Sequence, residues 1–323
     1  MSRRQLGMLL ALASLWGASF MFIKVGDREL RPITLVGFRM TLGALTLAPI
    51  VAWHIGVRET LRWLRLAAGP LVLTGLVNSA IPIFAISWAE TRIDSGLTAI
   101  LQASAPLFTA LLALRFSHSE RVGGLRLVGL LVGFGGVALL VGAQPGGNLL
   151  ATLAVVFSAV CYAVAALYIA RRLRDVPPLV TSLGALTAAS LATLPPSLVN
   201  LPGHVPGWKV TASVVTLGIA GTGIAYILYY ALLADAGASR SILITYLVPA
   251  FALVYGVLLL GESLTATAVG GLALVLAGVA LGSGAVSLRL GWPRRTKSAS
   301  DAPSPATSSS SSSLSATRTS SRS

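Results

Sequence analysis

Eight polar or aromatic side chains sit inside otherwise apolar runs at spacings that allow them to act together: Trp16, Asn78, Gln102, Tyr162, Thr222, Tyr226, Tyr230 and Tyr246. Thr222, Tyr226 and Tyr230 are four residues apart in turn, so in a helix they share one face. Asn78 and Pro82 are one turn apart, as are Gln102 and Pro106, and Tyr246 lies near Pro249. These residue types bind rather than react. Amides and hydroxyls exchange hydrogen bonds with a small polar ligand, and rings cover its apolar parts. Prolines free backbone carbonyls, which is tolerated where a helix lines a cavity or meets a neighbour. The same side chains would serve equally as hydrogen bonds between helices, so both readings stand at this point.

Two cations extend the pattern. Lys24 is expected near the end of the first helix and Arg39 about six residues into the second. A long basic side chain there either snorkels to the interface or makes an electropositive vestibule for a carboxylate or phosphate. The acidic residues all fall at helix ends or outside helices, and only Glu90 is marginal. A relay of buried carboxylates therefore lacks its parts, which points to a facilitator or an exchanger, or to coupling through groups the sequence does not identify.

Other chemistry is missing. The sequence has no HExxH, GxSxG or Walker loop. His54, His118 and His204 fall in loops far apart, and the single cysteine, Cys161, lies in an apolar run. No catalytic residue, metal or cofactor is expected. Gly133 to Ala138 partly matches a dinucleotide fingerprint but has no strand before it. Its glycines read better as packing: Gly129 with Gly133, and Gly278 with Gly282, are small-xxx-small pairs. They let the fifth and tenth helices approach neighbours closely or support a homodimer.

The elements that must position these groups are membrane helices. The chain is 55% hydrophobic and 11% charged, against about 25% charged for a soluble domain. Ten apolar runs, roughly 6–26, 33–53, 67–89, 95–115, 123–143, 149–170, 179–200, 210–233, 238–260 and 265–288, are long enough to span a bilayer. The N-terminal Arg3-Arg4 and the run after it mimic a secretion signal. The run is too long for one and reads as a retained first helix. Of the basic residues, 16 fall in alternate connections beginning with the N-terminus and 5 in the others. This bias places both termini in the cytoplasm. The net charge of +14 is thus a topology signal, and no nucleic acid is expected as a partner.

The runs also repeat. Pro106 aligns with Pro249 at an offset of 143, and Glu120 with Glu262 and Gly136 to Leu139 with Gly278 to Leu281 at 142. The first half therefore carries an extra residue between Pro106 and Glu120. Five helices per repeat is an odd number, so the second half enters the membrane from the opposite side. The expected fold is an all-α membrane protein of ten helices in two inverted five-helix repeats, 1–145 and 146–288, hinged at Gln144 to Asn148. A disordered Ser-rich cytoplasmic tail follows at 289–323.

On these residues the chain resembles the drug/metabolite transporter superfamily, of the bacterial type with two EamA-like repeats. The resemblance is carried by Trp16 to Phe20 with Lys24, Arg39, Ala105 to Phe108, Glu120 and Gly129, and in the second half by Val248 to Phe251, Gly261 to Leu264 and Gly271 to Leu281. It implies a ten-helix carrier of the bacterial inner membrane that moves small metabolites, often exporting amino acids or related compounds. Alternating access around a central cavity is the expected mechanism, in a monomer or homodimer. The other classes to weigh are a membrane-embedded enzyme acting on lipid-linked substrates and a structural membrane subunit.

Overall fold

The computed structural model describes residues 1–116, 124–142, 148–241 and 243–282, and among these every regular element is helical. Glu120, His118, the hinge segment 144–147 and the serine tail lie outside the described residues. In chain order the helices are α1 (Arg3–Gly26), α2 (Pro32–Ile55), α3 (Val57–Leu66), α4 (Ala68–Gly75), α5 (Ile81–Glu90), α6 (Ser95–Gln102), α7 (Ala105–Phe116), α8 (Gly124–Gly142), α9 (Leu149–Arg172), α10 (Pro178–Val199), α11 (Trp208–Gly218), α12 (Ala225–Ala236), α13 (Ala238–Ser241), α14 (Ile244–Leu260) and α15 (Ala266–Gly282). Among the described residues, seven helical stretches are long and apolar enough to cross a membrane, and three shorter apolar helices accompany them. Many large apolar side chains, among them Leu45, Leu131, Leu191 and Leu258, face outward from the bundle. That surface suits lipid, and the protein is a multi-pass membrane protein.

Local chemistry sets the helix ends. Ser2 and Gln5 form a reciprocal capping box at α1. Gln5 also donates to the Asp235 carbonyl at 2.9 Å, tying the start of α1 to the end of α12. Pro32 opens α2 at the position where its missing N–H is harmless. Gly56 closes α2 at φ 89° and Gly261 closes α14 at φ 70°, both in the left-handed region. His54 lies in the last turn of α2 rather than in a loop, because the helix runs on to that glycine. The sequence reading left α3 unassigned. Its arginines occupy solvent-facing turns between two apolar helices.

Two helices widen into π turns. One, Leu76–Ala80, joins α4 to α5, and the other, Ile219–Ile224, joins α11 to α12. They start 143 residues apart, the same offset as Pro106 to Pro249. In the first, Pro82 has no N–H to return to the Asn78 carbonyl, and the Ile81 N–H reaches back five residues to the Leu76 carbonyl. In the second, Gly221 and Gly223 weaken the α-helix, and the Thr222 hydroxyl bonds the Leu217 carbonyl at 2.9 Å. π turns recur at functional sites.

The apolar run from Ser95 predicts one continuous helix carrying Gln102 and Pro106 one turn apart. It breaks at Ala103 and Ser104, since Pro106 cannot donate to the Gln102 carbonyl. Its partner in the second half breaks elsewhere, between α13 and α14, and Pro249 lies inside α14.

Packing pairs the halves. α2 runs along α10, where Gly37 meets Ser197 and Thr41 bonds Ser190 at 2.7 Å. α8 runs along α15, with the Gly278 position against the backbone of Gly133 and Gly129. The small-residue faces thus serve packing within the chain. α1 packs on α14 at Gly17, and α9 packs on α6 and α7. At one end of the bundle the turns after α1, α5, α10 and α14 and the start of α9 meet. Arg31 bonds Asn200 at 2.6 Å, Asn148 bonds the Arg92 carbonyl at 3.0 Å, and Glu29 accepts from the Gly207 N–H at 2.8 Å.

Candidate functional site

Arg39 is 8% exposed on α2 and donates from Nε to Thr222 Oγ1 at 3.0 Å in the second π turn. The close passage of α2 along that turn allows this: a Cβ at Gly43 would meet the Thr222 side chain. The hydroxyls of Tyr162 on α9 and Tyr226 on α12 face the same guanidinium. Asn78, in the first π turn, places its amide at the Tyr226 hydroxyl. Tyr230 stacks on Tyr226 at 6.4 Å between ring centroids and accepts from Ser182 Oγ at 3.0 Å. Trp16 joins through Tyr229, 5.5 Å from it and itself 5.2 Å from Tyr230. Both π turns therefore deliver a polar side chain to one array around a buried guanidinium. Guanidinium, phenols and an amide are groups that can hold a carboxylate and cover an apolar side chain.

Two further candidates lie apart from that array. Gln102 accepts from Ser158 Oγ at 2.6 Å across the contact with α9. Tyr246 packs with the apolar cluster formed mainly by α5 to α9 and α15, its hydroxyl buried without a partner. Pro82 and Pro249 are buried, and Pro106 is half-buried beside the helix break. Trp88 carries the Arg92 guanidinium 3.9 Å from its ring centroid.

A second feature went unread in the sequence. At the end where those turns meet, a cleft of about 590 Å³ is lined by Lys24, Asp27, Arg28, Glu90, Thr91, Asp94, Leu260, Gly261, Glu262 and Ser263. Four carboxylates therefore face the mouth that the sequence reading described by its cations. Lys24 Nζ donates to the backbone carbonyls of Glu90 at 2.5 Å and Ile93 at 2.7 Å. It fastens the end of α5 instead of pointing freely outward. Ser87 Oγ lies 2.9 Å from both oxygens of Asp27. Burial pushes the Asp27 carboxyl up to about 8, with the Ser87 hydrogen bond and the Lys24 charge opposing the rise. Asp94 is also raised, by burial and then by the Glu262 charge. Glu262 accepts from the Ser95 N–H at 2.8 Å and the Gly96 N–H at 3.0 Å. The signal that could have found this cluster was topological: Asp27, Glu90, Asp94 and Glu262 all belong to connections that the charge count put on one side. Among the described residues, no group of three His, Cys, Asp or Glu is placed to hold a metal ion.

A polytopic helical bundle with polar groups gathered between its spans is the architecture of a membrane carrier. The chain belongs to the EamA-like transporter family, whose profile matches it twice, at residues 5–142 and 149–284. It is therefore a transporter of the drug/metabolite type. It is similar to an uncharacterized transporter of Archaeoglobus fulgidus, 28% identical, covering 82% of this chain and 93% of the relative. It is also similar to a protein of Streptantibioticus cattleyicolor named "Probable terminal-alkyne amino-acid exporter", 30% identical, covering 82% of this chain and 89% of the relative. A crystal structure titled only as that of a protein has the same fold, with a TM-score of 0.62 at 19% identity, covering 88% of this chain and 99% of that one.

Proposed function

We propose that the protein exports amino acids or closely related small metabolites across the bacterial inner membrane, by alternating access around the Arg39 array. The observation that carries this reading is the buried guanidinium of Arg39, held by Thr222 and faced by Tyr162 and Tyr226. An uncompensated buried cation is costly, and no ion pair to Arg39 occurs among the described residues. The carboxylate of a zwitterionic substrate would supply the missing charge, and Tyr226, Tyr230 and Trp16 would cover its side chain. The relative named as an amino-acid exporter supports the same substrate class.

Ten spans in two inverted repeats are the frame. The pairing of α1 with α14, matched by α9 with α7, and the two π turns at one offset support it. With both termini cytoplasmic, the acidic cleft is the outer mouth. The Glu262 bonds to Ser95 and Gly96 support a mechanism in which a fastening at this end alternates with one at the opposite end. Counterflow of labelled amino acids in proteoliposomes tests the reading. Protein-dependent uptake is expected for at least one class of side chain, and none across a broad panel overturns it.

A further inference from the structure

Glu90 is the last residue of α5 and is 0% exposed, on the floor of the cleft. Neither of its carboxylate oxygens has a hydrogen-bond partner. Its charged neighbours come from several elements: Lys24 on α1 and Asp27 just after it, Arg39 on α2, and Glu262 after α14. Asp94, just before α6, and Arg28 complete the charged lining of the cleft, and α9, packed along α5, contributes Tyr162 beside Arg39. Several of these groups are committed elsewhere. Lys24 donates to two backbone carbonyls, the latter including that of Glu90 itself, and Arg39 Nε donates to Thr222. Asp27 is held by Ser87, and Glu262 by the start of α6. Glu90 is left as a buried carboxyl group with no hydrogen-bond partner.

A carboxylate charge buried without a partner is strongly disfavoured, so such a group takes an occupant. A metal ion needs several oxygen ligands at once, and no such set is assembled among the described residues. A proton needs one lone pair and no added volume. We propose that Glu90 is the proton-binding group of this transporter, loaded from outside through the acidic cleft and unloaded toward the cytoplasm when the opposite end opens, so that one proton moves inward for each substrate molecule exported. When the Glu262 contact releases, water reaches the cleft floor. A hydronium ion there passes its proton to a carboxylate oxygen, forming the O–H bond and leaving water. When the contact re-forms, the proton is sealed in, and when the opposite end opens the O–H bond breaks and the proton passes to water on the cytoplasmic side. Arg39 faces both Glu90 and the tyrosines of the substrate array, so the two occupancies sense each other. The proposal rests on the transport reading for its coupling but not for its site.

Two measurements on the full chain separate these. Infrared difference spectra of the protein in nanodiscs, titrated with pH, report carboxyl groups that hold a proton. A protonated carboxyl band at neutral pH that Glu90→Gln removes and Glu90→Asp shifts is expected. Identical bands in wild type and Glu90→Gln overturn the site. In proteoliposomes, one pH unit is about 1.4 kcal/mol, so a one-unit gradient coupled to one proton supports up to about tenfold accumulation of labelled amino acid. In Glu90→Gln the ratio of uptake with and without the gradient falls to one, and Glu90→Asp restores part of it. Wild-type counterflow that ignores the gradient overturns the coupling and leaves the exporter standing. Absence of any counterflow overturns the exporter, and the infrared band then decides the site alone.

Discussion

Glu262 and Ser95, 167 residues apart in sequence, are joined by a hydrogen bond of 2.8 Å from the Ser95 N–H to the Glu262 carboxylate. With Gly96 at 3.0 Å, this carboxylate from the second half caps the first turn of a helix in the first half. A helix N-terminus exposes unpaired N–H groups and a partial positive charge, so an anion there is held by both. Asp94, at the N-cap position itself, makes no side-chain bond to that turn. The cap is therefore supplied from across the cleft.

Removing the cap should loosen that end of the molecule. A lost cap is worth about 1–2 kcal/mol. Glu262→Ala is expected to speed hydrogen exchange at the Ser95 and Gly96 amides by roughly tenfold, leaving the amides of α10 unchanged. Gly256→Ala should do the same without removing the carboxylate, because a Cβ there would overlap Glu262 Oε2 and displace it. The double variant should add little, since both remove one contact. Unchanged exchange in both would show that the cap does not hold the end closed.

Asp27 should make stability depend on pH. Its folded value near 8 lies above the ordinary value of 3.8, so between the two the folded protein binds the extra proton. Stability then falls as pH rises through that window, and the loss is complete above the folded value. Asp27→Asn cannot ionise. Its thermal midpoint, relative to wild type, should climb between pH 5 and pH 9 by about 2–4 °C for each kcal/mol involved. A constant difference across that range would contradict the argument.

Arg39 should be irreplaceable by lysine. Its fork reaches Thr222 and still presents donors to a substrate, which an ammonium on a different stem does not reproduce. Counterflow is expected to drop at least about tenfold in both Arg39→Ala and Arg39→Lys, the loss of a charge-assisted bond being about 1.5–3 kcal/mol. Thr222→Val should lose less. Equal activity in Arg39→Lys and wild type would remove the guanidinium from the site.

The contact of α8 with α15 should not tolerate side chains. Gly278→Ala puts a methyl against the Gly133 backbone, which cannot yield as a flexible side chain would. A loss of about 1–3 kcal/mol is expected in thermal unfolding. Gly135→Ala, on the same helix as Gly133 but facing open space, is the control and should be neutral or slightly stabilising.

The sequence made the membrane helices readable because length and apolarity alone decide them. The ends came within a few residues for α2, α9 and α10, where Pro32, Pro178 and the flanking charges punctuate the chain. The breaks were harder. Pro106 ends a helix while Pro249 sits within one, and only the packing around each decides which. The π turns left no trace in the hydrophobic pattern, since one added residue in an all-apolar run changes no period. Of the site, the spacing of Thr222, Tyr226 and Tyr230 was legible, and their partner Arg39 was noticed as a charge in the wrong place. The acidic cleft was not, because its members are distant in sequence and each looks ordinary at a helix end.

The two π turns have a consequence for how this chain can be edited. Each holds one residue more than a regular helix needs over the same rise. Deleting a residue elsewhere in a span turns everything beyond it by about 100°, since a helix has 3.6 residues per turn. A deletion within Leu76–Ala80 or Ile219–Ile224 instead removes the surplus and leaves a continuous α-helix. In alignments of relatives, single-residue gaps inside the third and eighth spans should therefore collect at these two places.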